Sequence, residues 1–162
     1  MILRKADIND LDEIAAIESS CFPPEQAAGK EQFRGRLKAY PEHFLLLCED
    51  SGKIVSFIDG FVTDAPDLTD EMYSDSALHD ENGAWQMIFG LNTLPGYRRR
   101  GYAGQLIKGF LSQARAHGRR GAVLTCKELL IPYYEKFSFV NEGISDGSVI
   151  GGVRWYQMRR TF

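Results

Sequence analysis

The segment Arg98-Arg99-Arg100-Gly101-Tyr102-Ala103-Gly104 places three guanidinium groups beside small residues at the start of a predicted helix. The first N–H groups of a helix have no partner within it, and the helix dipole favours an anion there. Gly101, Ala103 and Gly104 keep side chains away, so a pyrophosphate can approach the backbone. The arginines add positive charge at the same mouth. Arginine runs and turn glycines are equally common as plain solvated surface, so composition alone leaves the two readings even. The spacing does exclude the common nucleotide motifs. There is no Gly-x-x-x-x-Gly-Lys-Ser/Thr, and Gly101-x-x-Gly104 is short of a full Gly-x-Gly-x-x-Gly.

The flanking elements must hold that segment. A strand is predicted over Trp85 to Thr93, a helix over Tyr102 to His117 and a strand over Ala122 to Cys126, together a β-α-β unit. Ala103, Leu106, Ile107, Phe110, Leu111 and Ala114 recur at helical spacing on one face. Gly118 suits the position just past the helix end.

With these neighbours, Arg98-x-x-Gly101-x-Ala103 resembles the acyl-CoA pyrophosphate loop of the GNAT N-acetyltransferases, Gln/Arg-x-x-Gly-x-Gly/Ala between a strand and a helix. Three further matches follow in order. Ile17-Glu18-x-x-x-Phe22 ends the first predicted helix. Val123 to Cys126 reads as the strand after the motif helix. Ile131-Pro132-Tyr133-Tyr134-Glu135-Lys136-Phe137-Ser138-Phe139 is similar to the family's Pro-x-Tyr-x-x-x-Gly-Phe segment, with Ser138 in place of Gly. The resemblance covers nearly the whole chain and is greatest to the arylalkylamine branch.

The resemblance implies acetyl transfer from acetyl-CoA to a primary amine. It implies that the cofactor is held by the backbone of Arg99 to Gly104, with Arg98, Arg99, Arg100 and Tyr102 around it. Leu91, Asn92 and Thr93 would offer backbone partners to the pantetheine arm. Tyr134 matches the family tyrosine near the cofactor sulfur, where a phenol with a pKa of about 10 is a protonated donor to the departing thiolate. An alkylamine of lysine-like pKa is neutral in only about 1 part in 2,500 at pH 7, so a base or a desolvating site is needed. The branch's two base histidines are replaced here by Met87 and Phe89. Glu18 is the leading base by family position, ahead of Asp59, Asp64, Asp75, His79 and Glu128. His79, in an acidic stretch, is expected to be solvent-exposed. Phe22, Trp85, Met87, Phe89 and the 63–81 loop would line the acceptor pocket, for which a small aralkylamine or polyamine is favoured. A protein amine as acceptor, or a non-catalytic acyl-CoA-binding or sensing domain, stays open.

Composition fits one domain over residues 1–162, 44% hydrophobic and 25% charged. A net charge of −3 makes the arginine cluster local, against nucleic acid as a partner. Cys21, Cys48 and Cys126 are far apart and histidines number three, so no metal site is expected. Reduced, mostly buried thiols, no signal peptide and no membrane span make the expected compartment cytoplasmic. A homodimer is compatible with these features.

The remaining pattern predicts a strand over 2–5, helices over about 10–20 and 27–39, and strands over 44–49 and 54–62 joined by Asp50-Ser51-Gly52-Lys53. Residues 63–81 hold seven acidic residues and read as an irregular loop with a helical turn near Met72. Pro132 suits the first position of a short helix. Strands over 139–141 and 153–159 close the chain. The expected fold class is α/β (α+β), GNAT-like: a mixed, mostly antiparallel central sheet with helices on both faces and the β-α-β unit at its centre.

Overall fold

The computed structural model describes residues 1–162. In chain order it contains β1 (Ile2–Lys5), α1 (Leu11–Cys21), α2 (Lys30–Ala39), β2 (Phe44–Cys48), β3 (Ile54–Asp59), β4 (Val62–Thr63) and α3 (Asp70–Ser74). There follow β5 (Trp85–Ile88), β6 (Gly90–Thr93), α4 (Tyr102–Ala116), β7 (Gly121–Cys126), α5 (Ile131–Glu135), β8 (Val140–Ile144) and β9 (Tyr156–Thr161).

The strands form two sheets. One is ordered β1-β2-β3-β6 and is antiparallel throughout. The other is ordered β4-β5-β7-β9-β8, with β5 and β7 parallel. That parallel pair is the predicted β-α-β unit, with α4 as its crossover. Apolar residues of α1 and α2 pack with β2 and β3 on one side, in a core that includes Ile14, Phe33, Phe44 and Phe57. The predicted face of α4, with Leu106, Ile107, Phe110, Leu111 and Ala114 buried, joins a second core with Ile58, Leu124 and Met158.

Two predicted strands are each broken, at the same level. The strand expected over 85–93 is interrupted at Phe89, and the one over 54–62 at Gly60 and Phe61. Between the pairs Asp59–Gly90 and Val62–Gln86, Gly60 and Phe61 face three residues, Met87, Ile88 and Phe89. One side therefore carries an extra residue, a bulge that turns the chain from one sheet into the other. The alternation of apolar residues runs through the break, which is why periodicity alone missed it. Gly60 is required there. A Cβ on it would lie 1.7 Å from the Met87 carbonyl oxygen.

Smaller differences have local causes. Helix α2 starts at Lys30, because Gly29 is extended and its N–H donates to Gln32 Oε1. Ala27 and Ala28 belong to the turn before it. Pro132 falls one residue inside α5. The last two strands begin later than predicted, at Val140 and Tyr156. The helical turn near Met72 is α3, with Met72 buried against the first core. No helix is long and apolar enough to cross a membrane. All three cysteines are free thiols, Cys48 and Cys126 buried and Cys21 half-buried.

Candidate active site

The break makes the site. β6 is an edge strand, paired only with β3, while β5 continues alongside β7. The last β5–β7 pair is Ile88–Leu124, so beyond it β6 and the end of β7 diverge. A cavity of about 570 Å³ occupies this region. Its lining includes Phe89, Gly90 and Leu91 from the break, Thr125 and Cys126 from β7, Glu18 and Cys21 from α1, and Tyr134 from α5.

At one side of the break, α4 begins at Gly101, which has φ +81° and no side chain to cap the helix. Arg99 is also left-handed, at φ +63°. The two positive-φ residues turn the chain sharply, and the first-turn N–H groups of α4 are left for a ligand. Arg98, Arg99 and Arg100 are exposed. Arg98 Nε donates to the Thr93 carbonyl at 3.0 Å, and Arg100 donates to the Gly96 carbonyl at 3.2 Å. Tyr102, Ala103 and Gly104 are half-buried. Gly104 has a packing role as well, since a Cβ there would touch the Phe137 ring at 3.4 Å. An uncapped helix start with a positive cluster fits a pyrophosphate, and the open strand edge of β6 fits an amide-bearing arm. Of the residues predicted to hold the cofactor only Leu91 lines the cavity, and Arg98 to Gly104 lie outside its lining.

On β6, Leu91 lines the cavity. Thr93 Oγ1 lies 2.8 Å from Ser56 Oγ, and its carbonyl accepts from Arg98. Asn92 is buried, its side chain is turned away to Glu18, and its carbonyl accepts from Ser56 Oγ at 2.6 Å.

Glu18 is the most perturbed carboxylate with access to the cavity. It is 7% exposed. Oε2 accepts the Ala28 N–H at 2.9 Å, and Oε1 accepts from Asn92 Nδ2 at 3.0 Å. Its pKa is pushed up to about 7, first by burial and then by the Asp59 charge, against these two hydrogen bonds and Arg36. Such a value suits a base at neutral pH. Asp59 itself is wholly buried and bonded to Arg36 Nη1 at 2.8 Å. Burial pushes its carboxyl up as well, while Arg36 pulls it back. Arg36 donates further to the Tyr73 carbonyl and stacks between the Phe33 and Phe89 rings, 4.9 Å from each. The carboxyl oxygens of Glu18 and Asp59 converge on Gly90. A Cβ there would lie 3.0 Å from Asp59 Oδ1 and 3.5 Å from Glu18 Oε1.

The other acidic candidates are placed elsewhere. Asp64 accepts the Ala84 N–H, Asp75 accepts the Ala77 N–H, and Glu128 is exposed. Tyr134 is 9% exposed, with burial raising its phenol above the ordinary value. Its hydroxyl stays protonated at neutral pH. Donating a hydrogen bond to sulfur is then less costly than releasing a free phenolate. Tyr133, half-buried, packs edge-on against Tyr134 and Phe137.

Of the four predicted pocket residues, Phe22 and Phe89 line the cavity. Trp85 and Met87 are core residues outside it. Trp85 lies under the Arg120 and Arg159 guanidinium groups. The 63–81 segment contributes Asp70, Tyr73 and Ser74 to the lining, and Trp155 and Ser148, which escaped the sequence reading, line the cavity too. Their only signal was membership of segments without clear periodicity.

His79 is the expectation the structure reverses. Its side chain is 11% exposed, and its Nδ1 accepts the Val62 N–H at 3.1 Å. With Glu42, His43 and Glu81 it forms a cluster whose ligand-type atoms lie within 4.8 Å of one another. The Val62 bond puts the ring proton of His79 on Nε2, the atom nearest Glu81. Arg119 already pairs with Glu81 at 2.6 Å, and His43 Nε2 lies 2.9 Å from it. This network ties the 63–81 segment to the turn before β2 and to the loop after α4.

Residues 11–139 match the model of the acetyltransferase (GNAT) family. The chain belongs to the GNAT acetyltransferase family. Acetyl-CoA is the acyl donor of that family. The chain is similar to serotonin N-acetyltransferase of Mesocricetus auratus, 32% identical over 105 residues, 60% of this chain. It spans about half, 49%, of that relative's length. Among solved structures it resembles the loading GNATL domain of CurA from Lyngbya majuscula, with a TM-score of 0.83 at 18% identity, covering 99% of this chain and 96% of that one. It also resembles a GNAT family acetyltransferase from Brucella melitensis in complex with acetyl-CoA, with a TM-score of 0.62 at 20% identity, covering 99% and 87%.

Proposed function

We propose that this GNAT acetyltransferase transfers the acetyl group of acetyl-CoA to a primary amine by direct attack. A small aralkylamine or a polyamine is the favoured acceptor. The observation that carries the reading is a single cavity lined by Glu18, Tyr134 and the strand break between them. In this reading the pyrophosphate sits on the start of α4, among Arg98 to Gly104. The pantetheine arm runs along β6 at Leu91 to Thr93, as an added strand would. Glu18, its carboxylate costly to bury, takes the proton of the incoming ammonium. Phe22 and Phe89 flank the amine. An N–H of the β6 edge near Leu91 receives the oxyanion, and Tyr134 donates to the departing sulfur.

Thiol release from acetyl-CoA tests this across arylalkylamines, polyamines, aminoglycosides, amino acids and short peptides, with Tyr134→Phe beside the wild type. Turnover of one amine class, lost in the variant, supports it. Turnover confined to peptides moves the acceptor to a protein amine. Tight acetyl-CoA binding with no release from any amine favours an acyl-CoA sensor.

A further inference from the structure

We propose that the acceptor end of the cavity holds a subsite for a second ammonium group, built from Asp70, Ser148 and Gln26, so that the preferred acceptor is a diamine or polyamine. The inference rests on the amine-acetyltransferase reading and narrows it.

All three residues line the cavity, and each has a buried oxygen without a hydrogen-bond partner: Asp70 Oδ1, Ser148 Oγ and Gln26 Oε1. Ser148 is 2% exposed. Neighbouring bonds hold them together. Asp70 N donates to the Gly147 carbonyl at 2.9 Å, and Asp70 Oδ2 accepts the Val149 N–H at 2.7 Å. Ser148 is thereby bracketed beside the Asp70 carboxylate. Gln26 packs against Gly151, where a Cβ would lie 2.7 Å from its Cγ. Trp155 Nε1 donates to the Ile150 carbonyl at 2.8 Å, pinning the same segment. Residues 147–151 are thus fastened to α3 on one side and to the turn after α1 on the other.

The charge around this place is unbalanced. Arg36, one of the two cations lining the cavity, is committed to Asp59 and the Tyr73 carbonyl. Lys127, the other, lies over the Trp155 ring at 6.0 Å. No ion pair involves Asp70, and the exposed Glu25 adds negative charge at the rim. The place therefore offers acceptors, one of them charged, to an incoming donor. An ammonium brings three N–H donors, no acceptor and the missing positive charge. An aryl ring would cover the same oxygens without satisfying them.

The test compares diaminoalkanes of three to six carbons with monoamines of equal chain length and with phenethylamine. Thiol release gives kcat/KM, and calorimetry on the CoA-saturated protein gives affinity. The expected wild-type preference for the best diamine over its monoamine is about tenfold or more, the worth of one hydrogen bond to a charged group. In Asp70→Asn, where the amide oxygen can keep the Val149 bond, that ratio falls towards one. In Ser148→Ala it falls severalfold. Equal turnover of diamines and monoamines by the wild type, a preference for phenethylamine, or a ratio unchanged in Asp70→Asn overturns the subsite. Diamine binding that Asp70→Asn abolishes, with no thiol release from any amine, supports the subsite and overturns the transfer reading. Absence of both binding and release overturns both.

Discussion

Asn92 Nδ2 donates to Glu18 Oε1 at 3.0 Å, joining the edge strand β6 to a buried carboxylate of α1 that lines the cavity. That bond favours the ionised carboxylate, whereas burial, the larger effect, favours the neutral one. The balance leaves Glu18 half-ionised at about pH 7. Acting as base, it must be ionised. The kcat/KM for the amine is expected to rise with pH through about 7. Replacement of Glu18 by Gln removes that limb and lowers kcat/KM about 10²-fold. Asp59→Asn removes a neighbouring negative charge and moves the limb to lower pH. A full pH–rate profile of each variant checks this.

The same carboxyl couples stability to pH. Its folded pKa of about 7 stands above its ordinary 4.5, so the fold prefers the protonated form. The resulting stability is complete below about pH 4.5 and is lost as pH rises through about 7. The loss is about 3 kcal/mol by pH 8 and above. Urea unfolding of Glu18→Gln between pH 5 and 8 should show a weaker decline with pH than the wild type.

Tyr134→Phe keeps the ring and its contacts with Tyr133 and Phe139. It removes the donor. A drop in kcat of about 10²-fold is expected, with acetyl-CoA affinity changed less than about twofold. Steady-state kinetics and CoA titration separate the two.

Arg36 and Asp59 form a buried pair that also holds Tyr73. Arg36→Met leaves a buried carboxylate without its cation, at a cost of about 3–5 kcal/mol. Adding Asp59→Asn should return a large part of that loss. Thermal melts of the two single variants and the double variant measure it.

Ser138 has φ +66°, a conformation that disfavours residues with a side chain. It occupies the position where the resembled segment carries Gly. Ser138→Gly should raise stability by up to about 1 kcal/mol, after the entropy cost of glycine is set against the relieved strain. The midpoint of denaturant unfolding reads this directly.

The elements around the phosphate-binding loop were legible because a strong helical period and a clear punctuation by glycine mark them. α4, its buried face and the parallel β5–β7 pair follow the sequence reading closely. Glu18 and Tyr134 are singled out by motif position, and both line the cavity. Trp85 and Met87 pack in the core, and of this alternating set Phe89, at the break, also reaches the cavity; no local pattern announces a break within an apolar run. The carboxylates told a similar story. Asp59 sits on a strand of ordinary apolar pattern, and its partner Arg36 lies 23 residues away, on a helix whose charged residues suggested exposure. Val149 and Asp70 meet across 79 residues of chain, a tertiary pairing with no sequence signature.

The paired break at Gly60–Phe61 and Met87–Phe89 also separates two design problems. The opening between the sheets is fixed by main-chain register and by a glycine with no room for a methyl group. In the proposed reaction the acceptor wall is made of cavity-lining side chains drawn from α1, α3 and the 147–155 segment. Substitutions in that wall can alter which amine enters while the grip on the acyl donor is kept. The acceptor range of such a scaffold can therefore drift through side-chain changes alone, whereas a change at Gly60 would disturb donor binding whatever the acceptor.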